Sequence, residues 1–343
     1  MSQGEEAILD HRRTMWRLVE SLPDQLEEGY RRGREIAAPV AGTILVSGMG
    51  GSGISGEIVA ALAARHAGNP VLPVRDFVLP SWAKSASLSI FVSYSGNTAE
   101  TLSAYREAGA LGLRRLAITS GGELGTRAEA EGVPRVLIPA GHPPRASLGW
   151  LLGALLGALS PVFSGERIDP ARTVGELQAL RPALLDPRGT PGRIVEILGE
   201  RPLWVYAPER LAVVGRRWKT QSEENTKRLS HFDTIPELLH NALVAWDPLW
   251  GRRDEAPYVA LIRGAVDSAD VTRRIDYFEG VLARQGIPHG SVPLSSSDPL
   301  TEVLEGIWVG DILSLRRAER LGIDPFPVAA IDRMKATMTT APR

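Results

Sequence analysis

SYSGNTAET, residues 93–101, follows the apolar run SLSIFV (87–92) and opens the helical stretch TAETLSAYREAGALG (98–112). Ser93, Ser95, Asn97 and Thr98 gather three hydroxyls and an amide around Gly96. A helix N-terminus offers unpaired N–H groups and the positive end of the macrodipole. Hydroxyls add hydrogen bonds to an anion without adding charge. The arrangement predicts a cradle for one terminal phosphate. A Ser/Thr helix cap is the simpler alternative, but one hydroxyl suffices for a cap.

The same strand–turn–helix rhythm extends in both directions. Upstream, TILVSG (43–48) reads as a strand, ISGEIVAALAARHA (54–67) as a helix and PVLPVRDF (70–77) as a strand. Downstream come the strand RRLAITS (114–120), the helix ELGTRAEAEG and the strand PRVLIPA (134–140). Such alternation with short connections predicts a parallel sheet with helices on both faces. The alternation resumes with strands at 202–208, 256–263 and 289–296, and helices at 211–229, 268–286 and 299–321. Residues 5–36 also read as helical. The apolar stretch 148–163, LGWLLGALLGALSPVF, is shorter than the ~20 residues of a membrane span. It predicts a buried helix or an oligomer contact.

Bulk properties narrow the field. The chain has 343 residues, a net charge of −1, 43% hydrophobic and 23% charged residues. These values fit a globular protein of two domains or one large α/β unit. Near-neutral charge predicts no broad nucleic-acid face. The absence of cysteine rules out disulfides and thiol chemistry and fits a reducing, cytoplasmic setting. The charged start MSQGEEAILDHRR is not a signal peptide. Six scattered histidines make no HxH or HExxH pattern, so no metal is expected.

Residues 48–53, GMGGSG, match GxGxxG between a strand and a helix. They admit a dinucleotide loop with Asp76 as ribose partner, a plain tight turn, or a backbone surface for a small sugar with Ser52 adding a hydroxyl. ITSGGEL (118–124) reads as an ordinary turn capped by Ser120.

GMGGSGISG, SYSGNTAET and ITSGG at these spacings resemble the sugar isomerase (SIS) fold. From Ile44 to about Lys335, the chain is similar to the bifunctional phosphoglucose/phosphomannose isomerases. The resemblance implies two SIS-type α/β subdomains, each a mostly parallel sheet flanked by helices. The first spans 1–150 with the N-terminal helix and the phosphate loops. A helical bridge spans 151–200. The second spans 201–343 and includes a C-terminal helix. It also implies metal-free interconversion of glucose 6-phosphate, and of mannose 6-phosphate, with fructose 6-phosphate, without any cofactor.

Aldose–ketose isomerisation needs a base beside the carbonyl, a cation for the enediolate and an acid/base group to open the ring. Glu224, in Glu224-Asn225-Thr226-Lys227, matches the family's catalytic glutamate. A solvated helix face is the alternative, with Glu223 as an example. His240, in IPELLHNALVAW (235–246), matches the ring-opening histidine, which in the family reaches the partner's active site and so implies a homodimer. Ala242 stands where the family has an acidic residue. Arg145, in PPRASLGW, matches the enediolate arginine, and Lys335, in IDRMKATM, the C-terminal lysine near the sugar. Ser93, Ser95 and Thr98 would bind phosphate, and Gly50, Gly51 and Ser52 would border the reacting end. The rival readings are a non-catalytic SIS sugar-phosphate sensor and a dinucleotide-dependent oxidoreductase. The first lacks a DNA-binding head, and the second leaves the polyhydroxyl loop unused.

Overall fold

The computed structural model describes residues 3–37, 39–163, 168–246 and 256–340. Its elements are α1 (Gln3–Glu20), α2 (Leu22–Arg34), β1 (Ile44–Ser47), α3 (Gly50–His66), β2 (Val71–Val74), β3 (Leu88–Ser93), α4 (Ala99–Ala110), β4 (Arg115–Thr119), α5 (Gly122–Ala130) and β5 (Arg135–Leu137). There follow α6 (Leu148–Ala158), α7 (Pro170–Leu185), α8 (Thr190–Leu198), β6 (Leu203–Pro208), α9 (Ala212–Thr226), β7 (Ser230–Ile235) and α10 (Leu243–Trp246). The last are β8 (Tyr258–Arg263), α11 (Ala269–Gln285), β9 (His289–Pro293), α12 (Pro299–Arg320) and α13 (Ala329–Thr340).

Two sheets form, ordered β2-β1-β3-β4-β5 and β7-β6-β8-β9, and the pairings in both are parallel. Every residue of ILVS and of LSIFVS is buried, as central strands covered on both faces require. The two-subdomain α/β expectation therefore holds. Its departures are local. The helical stretch 5–36 divides at Ser21, just before Pro23. The glycine stretch is no free loop, because α3 already begins at Gly50. Strand β7 escapes the sequence reading altogether. SHFDTI is an edge strand with only Ile235 buried, so it carries no apolar run, and its backbone pairing to β6 makes it a strand.

One apolar cluster runs through both halves, from Met15 and Leu26 to Trp308 and Leu315. Helix α12 is its spine. Trp308 Nε1 donates to Val19 O (2.7 Å) and Trp218 Nε1 to Gly306 O (2.7 Å), so α1 and α9 are fixed on α12. The N-terminal helix thus packs on the second half as well as the first. Helix α6 is buried on every side, as its uniformly apolar sequence demands. No helix among the described residues is long and apolar enough to cross a membrane.

The α2–α6 contact is made backbone to backbone. Gly29 and Gly33 of α2 face Trp150 and Ala154, and Gly153 of α6 faces Leu26 O and Tyr30 N. A Cβ at any of these positions would overlap main-chain atoms, which cannot swing aside as a side chain can. Gly175, inside the exposed part of α7, has open space around it. Gly153→Val is therefore expected to cost at least ~3 kcal/mol or to abolish soluble expression. Gly175→Ala is expected to stabilise the chain by roughly 0.5–1 kcal/mol. Guanidinium unfolding of the two variants measures both.

Candidate active site

The two loops of interest leave the carboxyl ends of adjacent strands β1 and β3, where strand order reverses. Open α/β sheets bind ligands at such switch points. Ser93 Oγ and Thr98 Oγ1 hydrogen-bond to each other at 2.9 Å. Thr98 is the N-cap residue of α4, but its side chain makes no capping bond. Its hydroxyl faces Ser93 across the loop, and the first-turn amides of α4 gain no side-chain acceptor from it. The simple capping alternative thus fails. Ser95 is exposed, and its Oγ accepts the N–H of Asn97 (3.2 Å). Gly96 has φ +68° and lies so close to Gly121 O that no side chain fits. Ser120 Oγ donates to Tyr94 O (2.7 Å), as an ordinary turn residue would.

Gly50, Gly51 and Ser52 form the first turn of α3. Ser52 is buried, and its Oγ accepts the N–H of Tyr94 (3.0 Å), joining the two loops. A Cβ on Gly51 would stand 2.9 Å from Pro144 O. That close approach presses the short 3₁₀ turn Pro144–Ala146, and with it Arg145, against the start of α3.

Arg145 is only 3% exposed. Its Nε donates to Asn225 Oδ1 (2.8 Å), and its Nη2 donates to Pro325 O (2.5 Å) and Phe326 O (2.8 Å). Its Nη1 stands 3.6 Å from Glu224 Oε2. Burial holds the guanidinium below its ordinary pKa, and Glu224 pulls it back up. Arginine keeps its charge under such shifts. The carbonyl of Arg145 accepts from Arg217 Nη2 (2.5 Å). Arg217 itself forks onto Asp311, with Nε–Oδ1 3.0 Å and Nη2–Oδ2 2.9 Å, and both are buried.

The structure separates the two adjacent glutamates. Glu223 binds Lys219 Nζ through both oxygens (2.8 and 2.7 Å), a helix-face pair. Glu224 stands by Arg145 instead, and both glutamates line a cleft of about 660 Å³ with Lys227, Arg228, Val328 and Ile331.

His240 is not brought to this cleft within the chain. Helix α9 runs back along the sheet, so Glu224 lies near the amino ends of β6 and β7. His240 closes the 3₁₀ turn Glu237–His240, beyond the carboxyl end of β7, and is exposed. The register from Ser230↔Leu203 to Ile235↔Pro208 puts ~16 Å of strand between the two ends. Lys335 lies on α13, exposed, beyond the first turn that lines the cleft.

Sequence reasoning named Lys227 as the end of the matched Glu224–Lys227 segment but gave it no role. It is left-handed (φ 55°) and is the one such non-glycine among the described residues. It ends α9, where glycine is the ordinary residue. That conformation costs roughly 1 kcal/mol or more. Its Nζ donates to Glu224 O (2.5 Å) and Pro325 O (3.4 Å). Partial burial and the Arg145 charge hold the amine below its ordinary pKa, with Asp324 and Glu224 pulling it up. A positive φ on lysine leaves no mark in sequence. Among the described residues no three histidine, aspartate or glutamate side chains converge as a metal site.

Residues 192–338 match the family described as bacterial phospho-glucose isomerase C-terminal SIS domain. The chain is 31% identical over 341 residues to a bifunctional phosphoglucose/phosphomannose isomerase of Caldicellulosiruptor bescii, covering 94% of this chain and 98% of that one. It is 33% identical over 296 residues to the protein of that name from Aquifex aeolicus, covering 85% and 89%. A D-glucosamine-6-phosphate 4-epimerase of Sulfolobus acidocaldarius is 31% identical over 211 residues, 60% of this chain and 64% of that one. Among solved structures, a hypothetical protein of Thermus thermophilus superposes with TM-score 0.73 at 16% identity, over 98% of this chain and 94% of that one. The tagatose-6-phosphate ketose/aldose isomerase of Escherichia coli gives 0.62 at 19% identity, over 94% and 95%.

Removing one member of the buried Arg217–Asp311 pair leaves a charge without its partner. Asp311→Ala is expected to cost about 3–5 kcal/mol in guanidinium unfolding. Arg217→Met combined with Asp311→Leu should recover much of that loss, since apolar side chains of similar size replace a buried pair well.

Proposed function

The chain belongs to the bifunctional phosphoglucose/phosphomannose isomerase family, and on that premise we propose that it interconverts glucose 6-phosphate and mannose 6-phosphate with fructose 6-phosphate. The observation that carries the reading is the Arg145–Glu224 pair at 3.6 Å, linked through Gly51 and Ser52 to the hydroxyl loop.

Glu224 is the base. Its carboxylate takes the proton from the carbon beside the carbonyl and returns it to the neighbouring carbon. The Arg145–Glu224 ion pair is long, at 3.6 Å, and the Glu224 side chain is part-exposed, so the carboxylate stays open to substrate. Arg145 supplies fixed positive charge to the enediolate oxygens. Its bonds to Asn225, Pro325 and Phe326 hold it in place before substrate arrives, so little reorganisation is needed during reaction. Ser93, Ser95 and Thr98, with the amides opening α4, take the phosphate. Gly50, Gly51 and Ser52 border the reacting end, and the open space around Gly50 lets the sugar approach main chain there. No metal ion takes part.

Ring opening falls to His240 from a second copy of the chain, assisted by Lys335. The opposite-edge placement of His240 supports this, because a protomer alone separates it from Glu224 by the length of the sheet. Supporting the Lys335 role, the start of its helix α13 lines the cleft with Glu224, and Lys335 follows Ile331 by one helical turn.

A coupled assay of fructose 6-phosphate formation from both hexose phosphates, with and without EDTA, tests the substrates and the metal-free chemistry. EDTA-resistant turnover of both is expected. Turnover only of an amino-sugar phosphate would instead favour the epimerase-like relative. Glu224→Gln is expected to lower kcat at least ~10²-fold, as loss of a general base does. Near-normal turnover in that variant would remove Glu224 from the role.

Mixing inactive Glu224→Gln and His240→Ala chains tests the shared site. If His240 acts across a two-fold interface, random re-pairing restores about a quarter of the wild-type sites. No recovery on subunit exchange would place His240 outside the chemistry of the partner.

A further inference from the structure

We propose that Lys227 is a second substrate-facing cation of this site, placed by its left-handed backbone to carry negative charge on the reacting end of the sugar. The inference rests on the sugar-phosphate reading above and assigns a residue that the expected set of site residues omits.

Two cations converge on one carbonyl. Arg145 Nη2 and Lys227 Nζ both donate to Pro325 O, at 2.5 and 3.4 Å. Like charges held this close repel unless an anion lies between them or beside them. Among the described residues no carboxylate lies within ion-pair distance of Lys227, and its side-chain bonds go to two main-chain oxygens. Glu224 answers Arg145 only from 3.6 Å, and Asp324 is already bonded to His11 Nδ1 at 2.8 Å. Lys227 also lines the same cleft as Glu224. Arg145 is tied to that lining through Glu224, 3.6 Å away, and through Pro325 O, which it shares with Lys227, so an anion bound beside Glu224 is close to both cations.

The backbone supports the assignment independently. Glycine would end α9 without strain, and so would asparagine at smaller cost than lysine. A lysine in the left-handed region is unfavourable for the fold taken alone. Such residues persist where the side chain is needed in that place. The position therefore separates function from stability. Removing the ammonium with glycine relaxes the chain, whereas a merely structural residue would weaken it.

Two probes read the charge directly. Arabinonate 5-phosphate carries a carboxylate where the enediolate forms. Arabitol 5-phosphate has the same carbon chain and phosphate but is neutral there. Calorimetric titration of the full-length wild-type protein is expected to favour the acid by at least about tenfold. Lys227→Gly is expected to narrow that ratio about tenfold and to lower kcat for fructose 6-phosphate at least as much. It should leave arabitol 5-phosphate affinity within about twofold and the melting temperature at or above wild type. Lys227→Arg should retain most of the ratio. Lys227→Asn serves as a second variant at ease in the same conformation, should glycine loosen the chain.

An unchanged ratio in Lys227→Gly and Lys227→Asn, with both probes bound, would reduce Lys227 to a helix cap and leave the isomerase reading intact. Failure of the wild-type protein to bind either probe would sink the sugar-phosphate reading, and this assignment with it.

Discussion

Arg145 reaches the junction of the two halves from the end of the first, where a buried guanidinium must have its hydrogen bonds met. It meets them on the second half, at Asn225 of α9 and at the carbonyls of Pro325 and Phe326 after α12. Its own carbonyl is held by Arg217, which Asp311 of α12 neutralises. Asn225 is steadied in turn by Ser314 of α12 through a 2.9 Å bond. The relative placement of the two sheets is thus written into the bonds of one side chain. Any shift of α9 or α12 against the first half would leave part of that guanidinium unpaired. The same bonds that fix the fold fix the position of the group that faces Glu224, so preorganisation of the site comes with assembly of the halves.

The second sheet has its own switch point, between β6 and β8, and its strand termini are built differently. Arg210, just after β6, lies across that crevice. It bonds Asp267 (2.8 Å) and forks onto Glu302 in the first turn of α12. Glu302 also accepts the N–H of Ala265 (2.7 Å), and Asp267 accepts that of Gly264 (2.7 Å). Two buried carboxylates thus take the main-chain donors that an anion would otherwise use, and an arginine balances them. The first sheet does the opposite. Its loops at the corresponding edge carry hydroxyls and glycines with no acidic side chain among residues 93–99 or 48–56. Two similar frameworks therefore serve different ends through the charges at their strand termini.

How much of this was legible in sequence depends on the range of the interaction. The hydroxyl loop was legible because strand, glycine turn and helix start are consecutive, and local chemistry decides their geometry. The apolar helix α6 was legible because an all-apolar stretch of that length has to be buried. The Arg145–Glu224 pairing was not, since it joins residues far apart in the chain by packing α9 and α12 against the Pro144–Ala146 turn. Only the resemblance to a family pointed to those two residues. Arg217 and Asp311 were hidden for the same reason. A charged residue in a helix reads as solvent-facing until a partner is found, and the partners sit on different helices. Strand β7 was hidden because an edge strand has little apolar face to display. Lys227 stood in the segment that carries the resemblance, but its left-handed backbone was hidden because only glycine announces a positive φ.

The placement of His240 follows from the same geometry and bears on assembly. In a parallel β–α–β unit the helix returns the chain to the amino edge of the sheet before the next strand begins. A residue late in α9 and a residue after β7 must then lie at opposite edges, whatever their side chains. Glu224 and His240 are separated in this way by the connectivity of the fold, and no loop movement short of unpairing β7 from β6 would unite them. A chemistry that uses both has to bring the histidine from another copy. On the proposed chemistry, subunit pairing would be a condition of the active site itself, with the carboxyl edge of the second sheet of one copy facing the Glu224 cleft of the other.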